Sequence, residues 1–146
     1  MIKASGADET YPDDFLRSIL TEVKTIALVG ISANPTRPSR YVFEFLQRRG
    51  YRMVGVNPAL AGKDISGAPI YARLADIPVP IDMVDIFRNS AAAGGVVDEV
   101  LALSPRPKVI WMQLDVRNDA AAQRARVQGL KVVMNRCPKI EIPRLL

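Results

Sequence analysis

From Thr25 onward, short apolar segments alternate with amphipathic ones, and this alternation limits the fold more than any other feature. It begins in ALVGISANPTRPSRYVFEFLQRRG, from Ala27 to Gly50: an apolar strand, a glycine, a loop of small residues, then a helix. Thr25–Gly30 reads as a short buried strand. A helix is expected from about Ser39 to Arg49, with Val42, Phe43 and Leu46 as its apolar stripe and Gly50 closing it. Further strands are expected at Tyr51–Val56, Met83–Phe87, Val109–Leu114 and Lys131–Met134, with a short one near Ile70 and Tyr71. Leu74–Ile77 reads as one helical turn. Helices are expected at Ser90–Leu103, weakened by Gly94 and Gly95, and at Asn118–Gln128, capped by Asn118 and closed by Gly129. Strands separated by helices of about 10–12 residues form a parallel sheet covered on both faces. The expected fold is therefore α/β: a Rossmann-like, doubly wound parallel sheet in a single domain.

The flanks are read less sharply. Asp13 and Asp14 follow Pro12 and favour a helix start, where carboxylates meet the positive end of the dipole. Phe15, Ile19 and Val23 then share one face, and the helix ends at Lys24 or Thr25. Residues 1–11 are expected to be a flexible N-terminal tail and residues 12–146 the domain. The loop from Asn57 to Pro69 is rich in Pro, Gly and Ala, and the segment from Asn135 to Leu146 is expected to be irregular. Ile140, Ile142, Leu145 and Leu146 in that segment can dock on the same chain or on a second protein or copy. No apolar run approaches the roughly 18 residues of a membrane span. The start, MIKASGADETYPDD, lacks the apolar stretch of a secretory leader, so a cytoplasmic location is expected.

Composition narrows the chemistry. There is no histidine, which removes Ser-His and Cys-His nucleophiles, His-ligated zinc and the commonest general base. The single cysteine, Cys137, excludes an internal disulfide and a cysteine-based metal cluster. As a lone thiol it reads first as a small buried hydrophobe, although Arg136 and Lys139 beside it would favour a thiolate. The net charge of +5 fits an anionic partner. The basic residues are scattered and lack interleaved aromatics, so a phosphorylated small molecule is expected rather than nucleic acid.

In a doubly wound sheet, ligands sit outside the carboxyl ends of the strands. The first such loop keeps only Gly30 of the G-x-G-x-x-G dinucleotide fingerprint, with Ser32 where a second glycine would stand. Its small residues still permit close approach. Ser32 and Asn34 offer hydrogen bonds, Pro38 opens the helix, and Arg37 and Arg40 flank the spot. The plain alternative is a tight turn with solvent-facing arginines. An NAD site wants an acid after the second strand, but here stand Asn57, which is neutral, and Pro58, which can pack on an adenine or simply make a turn. Arg52 and Lys63 lie nearby in sequence. At the end of the next strand, Phe87 and Arg88 bound a groove or belong to the core and a helix start. Asp82 and Asp85 do not read as a catalytic pair, because their spacing puts them on opposite faces of a strand. An NAD(P)-linked oxidoreductase or an acyl-CoA-processing enzyme remains the alternative to a binding module, with Arg37 and Arg52 as cations for a 2′-phosphate.

The segments VGISANPTRPSRYV, GYRMVGVNP, PIYARLADIP, DMVDIFR, VIWMQLDV and VVMNRCPKIE, taken in order, cover about four-fifths of the chain. In these the chain resembles the small stand-alone CoA-binding domain proteins, which look like the CoA-binding domain of the succinyl-CoA synthetase alpha subunit. The resemblance implies coenzyme A as the ligand, bound in free or acylated form without catalysis. It makes Gly30, Ser32 and Pro35 the floor of the first loop and puts Arg37, Ser39 and Arg40 at the phosphates. Asn57 and Pro58 would flank the adenosine, with Phe87 and Arg88 closing the groove. Two departures stand out: Asp115 where family members often have glycine, and Asn135 where they often have aspartate. The synthetase reaction needs a phosphorylated histidine from a later domain, so ligase activity does not come with the fold.

Overall fold

The computed structural model describes residues 10–146. Most of the expected tail therefore lies outside the described residues. Tyr11, counted with that tail, is docked: its hydroxyl accepts from the Met134 N–H at 2.8 Å, and its ring stacks on Phe15 at 6.0 Å.

Seven strands form one sheet: β1 (Thr25–Val29), β2 (Arg52–Val56), β3 (Asp64–Ile65), β4 (Ala68–Tyr71), β5 (Met83–Ile86), β6 (Val109–Met112) and β7 (Lys131–Val133). Their order is β3-β4-β2-β1-β5-β6-β7. All neighbours pair in parallel except the short β3–β4 edge. The chain winds outward from β1 through β2, then returns to place β5 on the other side of β1, so the switch point lies between β1 and β5.

Helices cover both faces. Helices α1 (Asp13–Glu22), α2 (Pro38–Arg48) and α5 (Pro138–Leu145) pack on one side; α3 (Ser90–Leu101) and α4 (Asp119–Val127) pack on the other. The strands feed both cores by alternation: Ile26 and Leu28 of β1 face the α1/α2/α5 side, and Ala27 and Val29 face α3/α4. Val42, Phe43 and Leu46 form the buried stripe of α2 as expected. Gly50 and Gly129 follow the ends of α2 and α4 with φ of 98° and 91°, and the Asn118 side chain accepts from Ala121 N–H at 3.0 Å to cap α4. Among the described residues, no helix is long and apolar enough to cross a membrane.

Three expectations are corrected. The segment from Asn135 is not irregular throughout, because α5 occupies Pro138–Leu145. Pro143 argues against a helix since it lacks the N–H that would bond Lys139 C=O, yet α5 is held by its surroundings. Ile142 is fully buried, Arg17 donates to Leu145 C=O at 3.0 Å, and Arg144 pairs with Asp13 at 2.9 Å. Second, the face of α1 is shifted. Leu16, Ile19, Leu20 and Val23 are buried, while Phe15 is half-buried. Third, the loop from Asn57 to Pro69 contains a hairpin, with Asp64 opposite Pro69 and Ile65 opposite Ala68. Of the apolar residues near the C-terminal end, Ile142 and Leu145 dock on this chain, whereas Ile140 and Leu146 stay exposed.

Candidate functional site

The loops after β1, β2, β5 and β6 meet at the carboxyl edge of the sheet, around the switch point. Gly30 is the pivot. Its N–H donates to Val56 C=O at 2.9 Å, and Phe87 N–H donates to Val29 C=O at 2.8 Å, so β1 is tied to both neighbours where it ends. Gly30 has φ of 95°, and a Cβ there would lie 2.3 Å from the Phe87 carbonyl oxygen. Only a residue without a side chain lets these two backbones approach so closely.

The loop beyond Gly30 is held by its own side chains. Ser39 Oγ accepts from Ser32 N–H, Ser32 Oγ from Asn34 N–H, and Asn34 Oδ1 from Thr36 N–H, each at 3.0 Å. The N–H groups of Ala33 and Ser39 reach no acceptor among the described residues. Both lie beside the start of α2, where the helix dipole favours an anion. Arg40 is engaged: it donates to Ala33 C=O at 2.6 Å and to Glu44 at 3.1 Å. Hydrogen bonds from Ser66 and then Arg40 hold the Glu44 carboxyl below the usual range. By contrast, Arg37 and Arg88 are exposed and make no ion pair or side-chain hydrogen bond among the described residues.

Three adjoining cavities occupy this edge, and Phe87 lines all of them. A cradle of about 470 Å³ brings together Gly30, Ser32, Arg37, Ser39, Asn57 and Phe87. A cavity of about 740 Å³ on the α3 side contains Gly30, Asn57, Pro58, Phe87 and Arg88. It also contains Arg73 and Glu99, which nothing in the local sequence singled out. An apolar groove of about 570 Å³ runs between α2 and α5. Pro35 and Arg40 line none of the three: Pro35 is exposed at the loop tip, and Arg40 braces the loop from behind.

The neutral Asn57 is structural. Its Oδ1 accepts from Ala59 N–H at 2.9 Å and its Nδ2 donates to Ile31 C=O at 2.8 Å, so the side chain pins the second loop to the first. Arg52 opens β2 at the amino edge of the sheet, on the wrong side for this site. The two aspartates are not opposed on one strand, because Asp82 precedes β5 and only Asp85 lies in it. Asp82 Oδ2 accepts from the Lys24 and Thr25 N–H groups at 2.8 and 2.9 Å, a strand-end role, and Asp85 is fully buried. Asp115 adopts φ of 68°, the conformation that glycine favours, and Asn135 adopts 58°. Asn135 Oδ1 accepts from Asp115 N–H at 2.7 Å, so the amide supplies the acceptor that an aspartate would. Arg136 lies 5.2 Å from the Tyr11 ring centroid, a cation–π partner.

A family model described as a CoA binding domain matches residues 24–143. The chain belongs to the CoA binding domain family. The Bacillus subtilis protein YneT, itself uncharacterised, is 34% identical over 125 residues, spanning 86% of this chain and 90% of its own. A solved structure from Thermus thermophilus is 36% identical, covers 93% of this chain and 100% of its own, and superposes with a TM-score of 0.87. The dinucleotide-forming acetyl-coenzyme A synthetase 1 of Ca. Korarchaeum cryptofilum is 19% identical and has a TM-score of 0.63. The match covers 83% of this chain and 27% of the synthetase, and shares the fold. The family gives the chain a CoA-related role.

Proposed function

We propose that this chain binds coenzyme A, free or acylated, at the β1/β5 switch point, as a module without catalysis of its own. The observation that carries this reading is the set of unused donors around one loop. The Ala33 and Ser39 amides and the unpaired Arg37 and Arg88 guanidinium groups lie along the carboxyl edge. A ligand with several phosphate charges satisfies all of them. In this reading the phosphates lie over the Gly30–Arg40 loop, with Ser32 and Ser39 holding its shape. The adenosine packs near Pro58 in the cavity of about 740 Å³. The pantetheine arm passes Phe87 and Arg88. No observation favours the NAD(P) alternative: Asn57 is engaged with backbone, and Arg52 is at the opposite edge.

Calorimetric titration with coenzyme A tests the assignment. Arg37→Ala and Arg88→Ala are each expected to weaken binding about tenfold, the scale of one partly exposed charged hydrogen bond. Both residues are exposed and unpaired, so stability is expected to stay within about 0.5 kcal/mol of the parent. Unchanged affinity in both variants would put the site elsewhere.

A further inference from the structure

The groove between α2 and α5 is left over once phosphates and adenosine are placed. It is continuous with the cradle, since Pro38 and Phe87 line both. Its walls include Tyr41, Val42, Leu114, Val116 and Ile140. Tyr41, Leu114 and Ile140 are 43%, 45% and 53% exposed, and they account for three of the five exposed large hydrophobic residues among those described. Such clustering on one rim marks a binding surface rather than scattered apolar exposure. The groove's volume lies in the range of ordinary small-molecule sites.

Gln113 is the neutral amide in a lining that also carries the charged Arg88, Asp115 and Lys139. Gln113 is 6% exposed and lines the groove, and its Oε1 is buried without a hydrogen-bond partner. That oxygen is sealed from the groove. The Gln113 Nε2, which makes no hydrogen bond among the described residues, is the atom left to meet a ligand, and it donates. A thioester carbonyl, which only accepts, is its complement. Lys139 also borders the groove, but its ammonium sits 5.4 Å from the centroid of Phe45, which is not part of the lining.

We propose that the α2/α5 groove holds the acyl end of an uncharged, straight-chain acyl thioester, with its thioester carbonyl accepting from Gln113 Nε2. The preferred ligand is then an apolar acyl-CoA rather than free coenzyme A. This rests on the coenzyme A assignment above and deepens it. The rim residues Tyr41, Leu114 and Ile140 cover the chain, and Arg88 stands where the groove meets the α3-side cavity.

The test is a calorimetric series with coenzyme A, acetyl-CoA, butyryl-CoA, hexanoyl-CoA and the charged succinyl-CoA. Affinity should rise about two- to threefold per added methylene, roughly thirtyfold from acetyl to hexanoyl, as expected for partial burial. Succinyl-CoA should bind no tighter than coenzyme A. Leu114→Asp and Ile140→Asp, both at exposed positions, should abolish the chain-length gain and leave coenzyme A affinity within about twofold. Gln113→Leu should weaken acetyl-CoA more than free coenzyme A, which has no thioester carbonyl. A flat series with intact coenzyme A binding overturns this inference and leaves the coenzyme A reading standing. A flat series together with a dimer that Ile140→Asp dissociates assigns the groove to a second copy and equally overturns it. Absence of coenzyme A binding overturns both.

Discussion

Gly30→Ala is expected to destabilise the domain by about 3–5 kcal/mol, a third or more of a typical domain's stability. Two costs combine. The backbone at φ of 95° strains any L side chain, and the new methyl would lie 2.3 Å from the Phe87 carbonyl oxygen. That oxygen belongs to the backbone leaving β5, so relief requires β1 and β5 to part at the switch point. Gly50→Ala is the natural control. Gly50 has φ of 98° but nothing within 4 Å of the Cβ position, so that variant bears the strain alone, about 1 kcal/mol. Urea denaturation of both variants measures the difference. If Gly30→Ala costs no more than Gly50→Ala, the close approach of β1 and β5 is not what the glycine provides. The same parting would displace Phe87 and Arg88, so residual folded Gly30→Ala protein should also bind coenzyme A more weakly.

The second large effect concerns Asp85. This residue is fully buried in β5, flanked in the sheet by Leu28 of β1 and Trp111 of β6, and neither carboxyl oxygen has a hydrogen-bond partner. Burial holds its carboxyl well above the usual carboxylate range. In the unfolded chain the group ionises near pH 3.9. Above that pH the unfolded state has lost the proton and the native state keeps it, so stability falls as pH rises. The loss begins near pH 4 and continues until the raised native pKa is passed; below pH 4 both states are protonated and there is no loss. Asp85→Asn removes the titration while nearly preserving shape. The stability of Asp85→Asn relative to the parent should therefore increase with pH, by up to about 1.4 kcal/mol per unit within the window. Other carboxyls, Glu44 among them, are common to both proteins and cancel in the difference. Urea unfolding of the pair from pH 3 to pH 8 checks this. A difference independent of pH would mean that Asp85 is charged in the native state.

Local signals made much of this architecture legible. Gly50 and Gly129 ended their helices because each stands just beyond an amphipathic run, and Asn118 capped α4 because a side-chain oxygen at that place meets a free N–H. The parallel sheet followed from apolar runs too short for helices and separated by helices. What could not be read was set by distant contacts. Helix α5 violates its own local preference at Pro143 and persists because α1 receives Ile142 and Arg144. The β3–β4 hairpin is too short to show a period. In the site, Gly30, Phe87 and Arg88 were findable because each ends a strand at the carboxyl edge. Gln113 also follows a strand at that edge, whereas Arg73 and Glu99 carried no such signal, since they come to the cavity from the loop after β4 and from α3. Pro35 and Arg40 were adjacent in sequence to the cradle, but a tight loop turned one to its tip and locked the other to Ala33 and Glu44.

On the proposed reading an anionic coenzyme with a pantetheine arm occupies the switch point. Thermal melting of the whole chain with coenzyme A, dephospho-CoA, NAD and NADP at equal concentration tests it most directly, because a ligand that binds only the folded state raises the melting temperature. A clear rise is expected with coenzyme A, a smaller one with dephospho-CoA, and none with NAD. Stabilisation by NAD or NADP without any by coenzyme A would contradict that reading.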